Sequence, residues 1–228
     1  MSDAIERALT GLLAQGAFVM GQIHVSSVAA GYLLRHRDDC DRQNLQRHRS
    51  AGDAMTIARF DDAREYRPLK TAPNLAHGWR LELSTVSAVR EALDYFYPGR
   101  LAAFAWFMAG ELTTTPLRET LGRQTGMYRV AANVSDAAVN KVVGDFCRSD
   151  GGCLRTILWH LDGSGEKAST ALPPQKYDPT QDQVQPMGGG ESPEGPLLPL
   201  LCQEACGLLV GECRKAVRST RKISPERA

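Results

Sequence analysis

Apolar residues recur at helical spacing near the start of the chain, where Ile5, Ala8, Leu9, Leu12 and Leu13 fall along one side of a 3.6-residue period. This predicts a short amphipathic helix ended near Gly16. In VMGQIHVSS the period shortens, and Val19, Ile23 and Val25 predict a strand that turns at Gly31 into YLLRH to make a hairpin. Residues 35–49 (RHRDDCDRQNLQRHR) set five arginines against three aspartates and read as a solvated face or exposed loop. AGDAMTIARF holds one or two helical turns. YRPLKTAPNL is extended, because each proline disfavours the helical region for its predecessor.

GWRLELS alternates, with Trp79, Leu81 and Leu83 on one face, and predicts a strand. Ser84 is placed to cap the following helix, TVSAVREALDYFYP, which Pro98 and Gly99 end. RLAAFAWFMAGEL is a second, strongly apolar helix destined for the core. PLRETLGRQTG is helical up to Gly126, YRVAANV reads as a strand, and Ser135 with Asp136 opens the helix DAAVNKVVGDFC, whose end carries Cys147. CLRTILWHLDG follows after RSDGG. Residues 173–199 then hold seven of the twelve prolines and four glycines, too little apolar content to pack, and are expected to form a flexible loop. A last helix is predicted over LCQEACGLLVGECRKAVRS, its basic end suited to the helix dipole. No repeat of fixed period is present.

Composition sharpens this only in part. With 228 residues, 43% of them apolar, the chain can bury a core and form one or two domains. Its 27 basic and 26 acidic residues leave a net charge of +1, so no broad field favours nucleic acid or an anionic membrane surface. No run approaches the roughly 20 apolar residues of a bilayer span, and the N-terminus lacks a cleavable apolar leader. A cytoplasmic protein, with neither nucleic acid nor membrane as partner, is the expectation.

The cysteines change the picture most. Cys40 stands alone, while Cys147, Cys153, Cys202, Cys206 and Cys213 all lie in the last 82 residues. On a continuous helix, Cys202 and Cys206 would project from one face a turn apart. Cys147 and Cys153 flank RSDGG, whose glycines let the backbone curl and bring two sulfurs together. Four thiolates suit a [4Fe-4S] cluster or a structural zinc ion. Zinc ribbons use C-x2-C knuckles, so C-x5-C with C-x3-C leans toward iron and sulfur. A buried cysteine is often only a small hydrophobe, but five gathered so late argue against packing alone. Cys213, seven residues after Cys206 and on the stripe of Leu209, reads as core, with the alternative that it replaces one of the four ligands. Cys40 with His36 and His48 raises a second metal site, against which stands the merely charged character of that segment. Metal binding across the proline-rich stretch would staple the last helix to the body, since loop closure grows costlier only slowly with length.

REYRPLKTAPNLAHGWRLEL, ALDYFYPG, RQTGMYRV, FCRSDGGCLRTILWHLDG and LCQEACGLLV together resemble the iron-sulfur module associated with CbiX-type sirohydrochlorin cobaltochelatases. That module comprises a stabilising domain and a [4Fe-4S]-binding domain. The resemblance spans roughly residues 1–160 and 200–215 and implies that Cys147, Cys153, Cys202 and Cys206 are the cluster ligands. The chelatase domain with its metal-inserting histidines is absent from this chain. The fold expected is α+β: a mixed α/β stabilising domain over 1–125, then a mainly helical cluster domain over 126–228 with a Pro/Gly-rich loop at 164–198.

Three functions compete. One is a [4Fe-4S] protein serving electron transfer or an accessory role beside a chelatase or another protein of tetrapyrrole metabolism, in cobalamin or siroheme biosynthesis. Another is a tetrapyrrole-modifying enzyme, for which His160, Asp162, Asp150 and Arg155, then His24 and His77, supply titratable groups. No nucleophile–base pair, P-loop or dinucleotide fingerprint accompanies them, and no catalytic residue is assigned. The last is a structural zinc or interaction module. For carboxylate-rich tetrapyrroles, Arg67, Lys70, Arg80, Arg100, Arg118, Arg123 and Arg129 offer guanidinium and ammonium partners, or form a dispersed surface.

Overall fold

The computed structural model describes residues 2–61, 63–66, 75–147, 156–159, 161, 195, 197–198 and 200–222. These fall into two compact units, one drawn from Met1–Leu112 and Thr180–Leu200, the other from Thr113–Pro179 and Leu201–Ala228. The architecture is α+β.

The first unit begins with α1 (Ser2–Leu13), then β1 (Ala17–Met20), β2 (Ile23–Val28) and β3 (Gly31–His36). A 3-10 turn (Arg37–Asp39) leads to β4 (Gln46–His48), α2 (Asp53–Ile57), β5 (Trp79–Leu83), α3 (Val86–Phe96) and α4 (Arg100–Met108). Strand β7 (Leu197–Leu198) pairs in parallel with β1 and completes a sheet of order β4-β5-β3-β2-β1-β7. The apolar stripe of α1 and the buried residues of α3 and α4 share one core with the sheet, formed by Leu9, Phe18, Ile23, Leu34, Leu81 and Leu93 among others. Trp79 stacks on Phe96 with ring centroids 5.1 Å apart, joining β5 to α3.

The alternation read in β5 is observed, with Trp79, Leu81 and Leu83 buried. Three local expectations differ. The strand expected across Val19 and Val25 is broken at Gly21 (φ +60°), where a Cβ would meet the Tyr97 ring. The chain turns there, β1 and β2 pair as a hairpin of their own, and the Tyr97 hydroxyl accepts the Gln22 N–H at 2.8 Å. The polar segment 35–49 contains β4, a parallel edge strand needing only backbone pairing to β5. Thr85, rather than Ser84, caps α3, its hydroxyl accepting the Ala88 N–H.

Gly31 occupies φ +131°, and a Cβ there would collide with the Leu83 backbone carbonyl on the neighbouring strand. Gly31→Ala is expected to destabilise the first unit by more than about 1 kcal/mol, read as a lower denaturant midpoint of its transition alone.

The second unit comprises α5 (Leu117–Gly122), a 3-10 helix (Gly126–Asn133), α6 (Asp136–Val142) continuing into a π-helical turn (Val143–Cys147), β6 (Thr156–Ile157), β8 (Leu201–Cys202) and α7 (Gly207–Lys222). Its core contains Leu117, Leu121, Val139, Val143, Trp159, Leu209 and Cys213. Ser135 caps α6 through the Ala138 N–H, as read from the sequence. YRVAANV is not a strand but part of the 3-10 helix, which runs against α7. Tyr128, Val130, Ala132 and Val134 alternate, while Val130, Ala131 and Val134 recur at a spacing of three to four, and a helix neighbour settles the choice.

The division between units falls at 112/113 rather than at the expected 125/126, because Leu117 and Leu121 of α5 are fully buried in the second core. Most of the expected loop at 164–198 lies outside the described residues. Its last two positions, Leu197 and Leu198, are β7, a strand rather than loop. No helix among the described residues is long and apolar enough to cross a membrane.

Candidate metal-cluster site

The late cysteines that are described all belong to the second unit, and each reaches its core by a different local structure. Cys147 is the last residue of the π-helical turn and is buried. A π turn inserts one residue into the helical ladder and re-aims the side chains that follow, a device concentrated at functional positions. Cys202 lies in β8, in register with Ile157 of β6, and its carbonyl accepts the Leu158 N–H at 2.9 Å. Cys206 immediately precedes α7, where its carbonyl accepts the Val210 N–H at 3.1 Å. Cys202 and Cys206 are half-buried against the apolar cluster that contains Cys147.

The expectation of Cys202 and Cys206 on one helical face is therefore corrected. The helix expected from residue 201 starts at Gly207, and the C-x3-C segment is a strand, a turn and a helix start. A spacing of four fits a helical turn and a strand-to-helix bend equally well, and backbone pairing of β8 with β6 selects the bend. The Cys202 thiol donates to the Glu204 carbonyl at 3.3 Å. Cys153 lies outside the described residues, three positions ahead of β6 in the chain.

Cys213 is core, as its place on the Leu209 stripe suggests: it has no exposed surface. Burial pushes its thiol up to about 11, with the Glu212 and Cys206 charges adding to the rise and Arg118 opposing it. Since the neutral thiol is favoured in the fold, this contribution to stability is complete below pH 9 and is lost as pH rises through 11. Iodoacetamide at pH 8 is accordingly expected to leave Cys213 unmodified in the folded protein, with mass mapping showing its labelling only as the pH nears 11 or the chain unfolds.

The framework around these residues is tied by ions as well as by packing. Arg118 on α5 bonds both the Val134 carbonyl and the Asp136 carboxylate. The Arg214 guanidinium lies 5.1 Å from the centre of the Tyr128 ring, linking α7 to the 3-10 helix.

The other sequence candidates are placed as follows. His160, Asp162, Asp150, Arg155, Arg67 and Lys70 lie outside the described residues. His24 is buried in β2. Arg80 pairs with Glu82, Arg118 with Asp136 and Arg123 with Glu119, so three of the arginines offered for an anionic pocket already have acidic partners. In the first unit, the Cys40 carbonyl accepts from Arg35 and His48 faces Asp53, and the grouping of Cys40, His36 and His48, raised by the sequence but disfavoured there, does not form among the described residues. Asp39, near the same turn, is a buried carboxylate. Burial would raise its pKa, but the Gly78 N–H, His77 and Arg42 outweigh that and hold it below the ordinary value.

Residues 109–215 match the family model of a 4Fe-4S iron-sulfur cluster binding domain, and residues 5–108 match that of the DR2241 stabilising domain. The two halves thus resemble, in order, a stabilising domain and an iron-sulfur domain. The solved structure of DR2241 from Deinococcus radiodurans is similar over 95% of this chain, with 25% sequence identity and a TM-score of 0.70. DR2241 is described as a multi-domain protein with structural similarity to chelatases and two additional novel domains. The chain spans 41% of that protein's length. No curated protein matches. The family boundary at 108/109 lies close to the division between the structural units.

Proposed function

We propose that the second unit holds one [4Fe-4S] cluster on Cys147, Cys153, Cys202 and Cys206, and that the protein is a redox or accessory component of tetrapyrrole metal chelation in cobalamin or siroheme metabolism. The observation that carries the reading is a coincidence of three things in one unit: the iron-sulfur family match, a core containing Cys147, and two half-buried cysteines packed against that core. The donor set is chemically apt, since thiolates are the usual ligands of such clusters. When bound, the cluster would supply one-electron chemistry. The π turn at Cys147 and the β6–β8 pair at Cys202 fix the backbone that carries two of the donors, and Cys206 stands at the start of α7. Apolar neighbours such as Ile157 and Leu209 would limit water around the sulfurs, which lowers the local dielectric and tunes the potential.

The link to chelation rests on the similarity to DR2241, itself chelatase-like. It is consistent with a chain that works beside a chelatase. The redox element is tested by reduction with dithionite under anaerobic conditions, followed by visible and electron paramagnetic resonance spectra. Bleaching of the brown colour with appearance of a signal from the reduced cluster is the expected result. A colour unaffected by dithionite would leave the cluster structural and contradict the redox reading.

A further inference from the structure

The chain has three tryptophans, Trp79, Trp106 and Trp159. An indole N–H can donate but not accept, so a buried ring calls for an acceptor. Trp79 has one: its Nε1 donates to the Ala76 carbonyl at 2.5 Å. Trp159 differs. Its side chain has no exposed surface, and its Nε1 is a buried donor with no hydrogen-bond partner among the described residues. A buried donor left unpaired forfeits its bond to water and gains nothing in exchange, so a native fold retains one where a further group supplies the acceptor.

The place of Trp159 in the fold narrows what that acceptor can be. The residue follows β6, where Ile157 is in register with Cys202 and the Leu158 N–H donates to the Cys202 carbonyl at 2.9 Å. Ile157 and Trp159 are buried in the core that contains Cys147 and Cys213, and Cys202 and Cys206 pack against it. The other side chains of that core are hydrocarbon, so its lone pairs are on sulfur. The Thr120 hydroxyl, also buried, has no partner either and therefore does not accept from the indole. Cys213 is a thiol and as such a weak acceptor. Ligating thiolates and inorganic sulfides carry more negative charge and accept more strongly.

We propose that the Trp159 indole N–H donates a hydrogen bond to a sulfur of the [4Fe-4S] cluster and thereby raises its reduction potential, an inference that rests on the cluster reading given above. A reduced cluster carries one more negative charge than an oxidised one, so a donor at sulfur stabilises the reduced form more. The effect is large where apolar side chains exclude water, as around Trp159, because no solvent dipole competes with the fixed one. Phenylalanine would keep an aromatic ring in the core and lack the donor, which separates this role from packing.

Full-length protein labelled with the heavy nitrogen isotope at the tryptophan indole is purified without oxygen, as wild type and as Trp159→Phe, Trp79→Phe and Trp106→Phe, and iron and sulfide are measured in each. Irradiation at low temperature reduces the cluster whatever its potential, and electron–nuclear double resonance then reads the nuclei coupled to it. The proposal expects coupling to one indole nitrogen and its exchangeable proton in the wild type, kept in Trp79→Phe and Trp106→Phe and lost in Trp159→Phe, whose midpoint potential is more negative. If Trp159→Phe takes up no cluster, the coupling kept in the other two variants still assigns the donor to Trp159 by elimination. About four irons and four sulfides in the wild type without that coupling, a coupling that survives in Trp159→Phe, or an unchanged potential in cluster-loaded Trp159→Phe would overturn this inference and leave the cluster reading standing. A wild type without sulfide would overturn both.

Discussion

Cys202→Ala, purified without oxygen, is expected to be colourless and to carry a second unit destabilised by several kcal/mol, while the first unit keeps its own transition. Binding free energy at such a site is also folding free energy, because the unfolded chain does not preorganise its ligands. Cys202 sits in a two-residue strand whose pairing with β6 is the local link between the segment after Cys153 and the segment entering α7. So short a pair is weak alone, and a bridging group would supply what backbone bonding does not. Cys213→Ala makes the contrast. It should keep the colour and cost about 1 kcal/mol, as expected of a small buried side chain. Two-step denaturant unfolding of both variants, followed by visible absorption and circular dichroism, checks the pair.

Trp159→Ala is expected to destabilise the second unit by about 3–5 kcal/mol, the range for truncating a large buried aromatic. Trp159 has no exposed surface and belongs to the same core as Leu117, Val143 and Leu209. Its loss would leave a cavity beside residues of α5, the π turn and α7, so the expected consequence extends to the cysteine positions: slower cluster assembly or faster oxygen-induced bleaching. The first unit contains none of these residues and should melt unchanged. Differential scanning calorimetry of the variant separates the two transitions. A small loss shared by both units would contradict the assignment of Trp159 to the second core.

Elements with complete patterns were legible from residues alone. The strict alternation of Trp79, Leu81 and Leu83 gave β5, and the serine before Asp136 gave the start of α6, because a side-chain cap is a local interaction. Gly21 was harder. Its role depends on Tyr97, a residue brought there by α3, and nothing in VMGQIHVSS alone distinguishes a continuous strand from a tight hairpin. Strand β4 was hidden for a related reason: an edge strand held by backbone pairing can carry Gln46, Arg47 and His48 without apolar alternation. The late cysteines announced metal chemistry by number and grouping, yet their spacing did not reveal that a strand and a helix start present Cys202 and Cys206.

The central claim is tested most directly by iron, zinc and acid-labile sulfide analysis of anaerobically purified protein, together with single alanine variants of Cys147, Cys153, Cys202, Cys206 and Cys213. The account predicts about four irons and four sulfides per chain in the wild type and in Cys213→Ala, with both lost in each of the other four variants. Zinc without sulfide, retained iron in any of those four, or loss of iron in Cys213→Ala would contradict it.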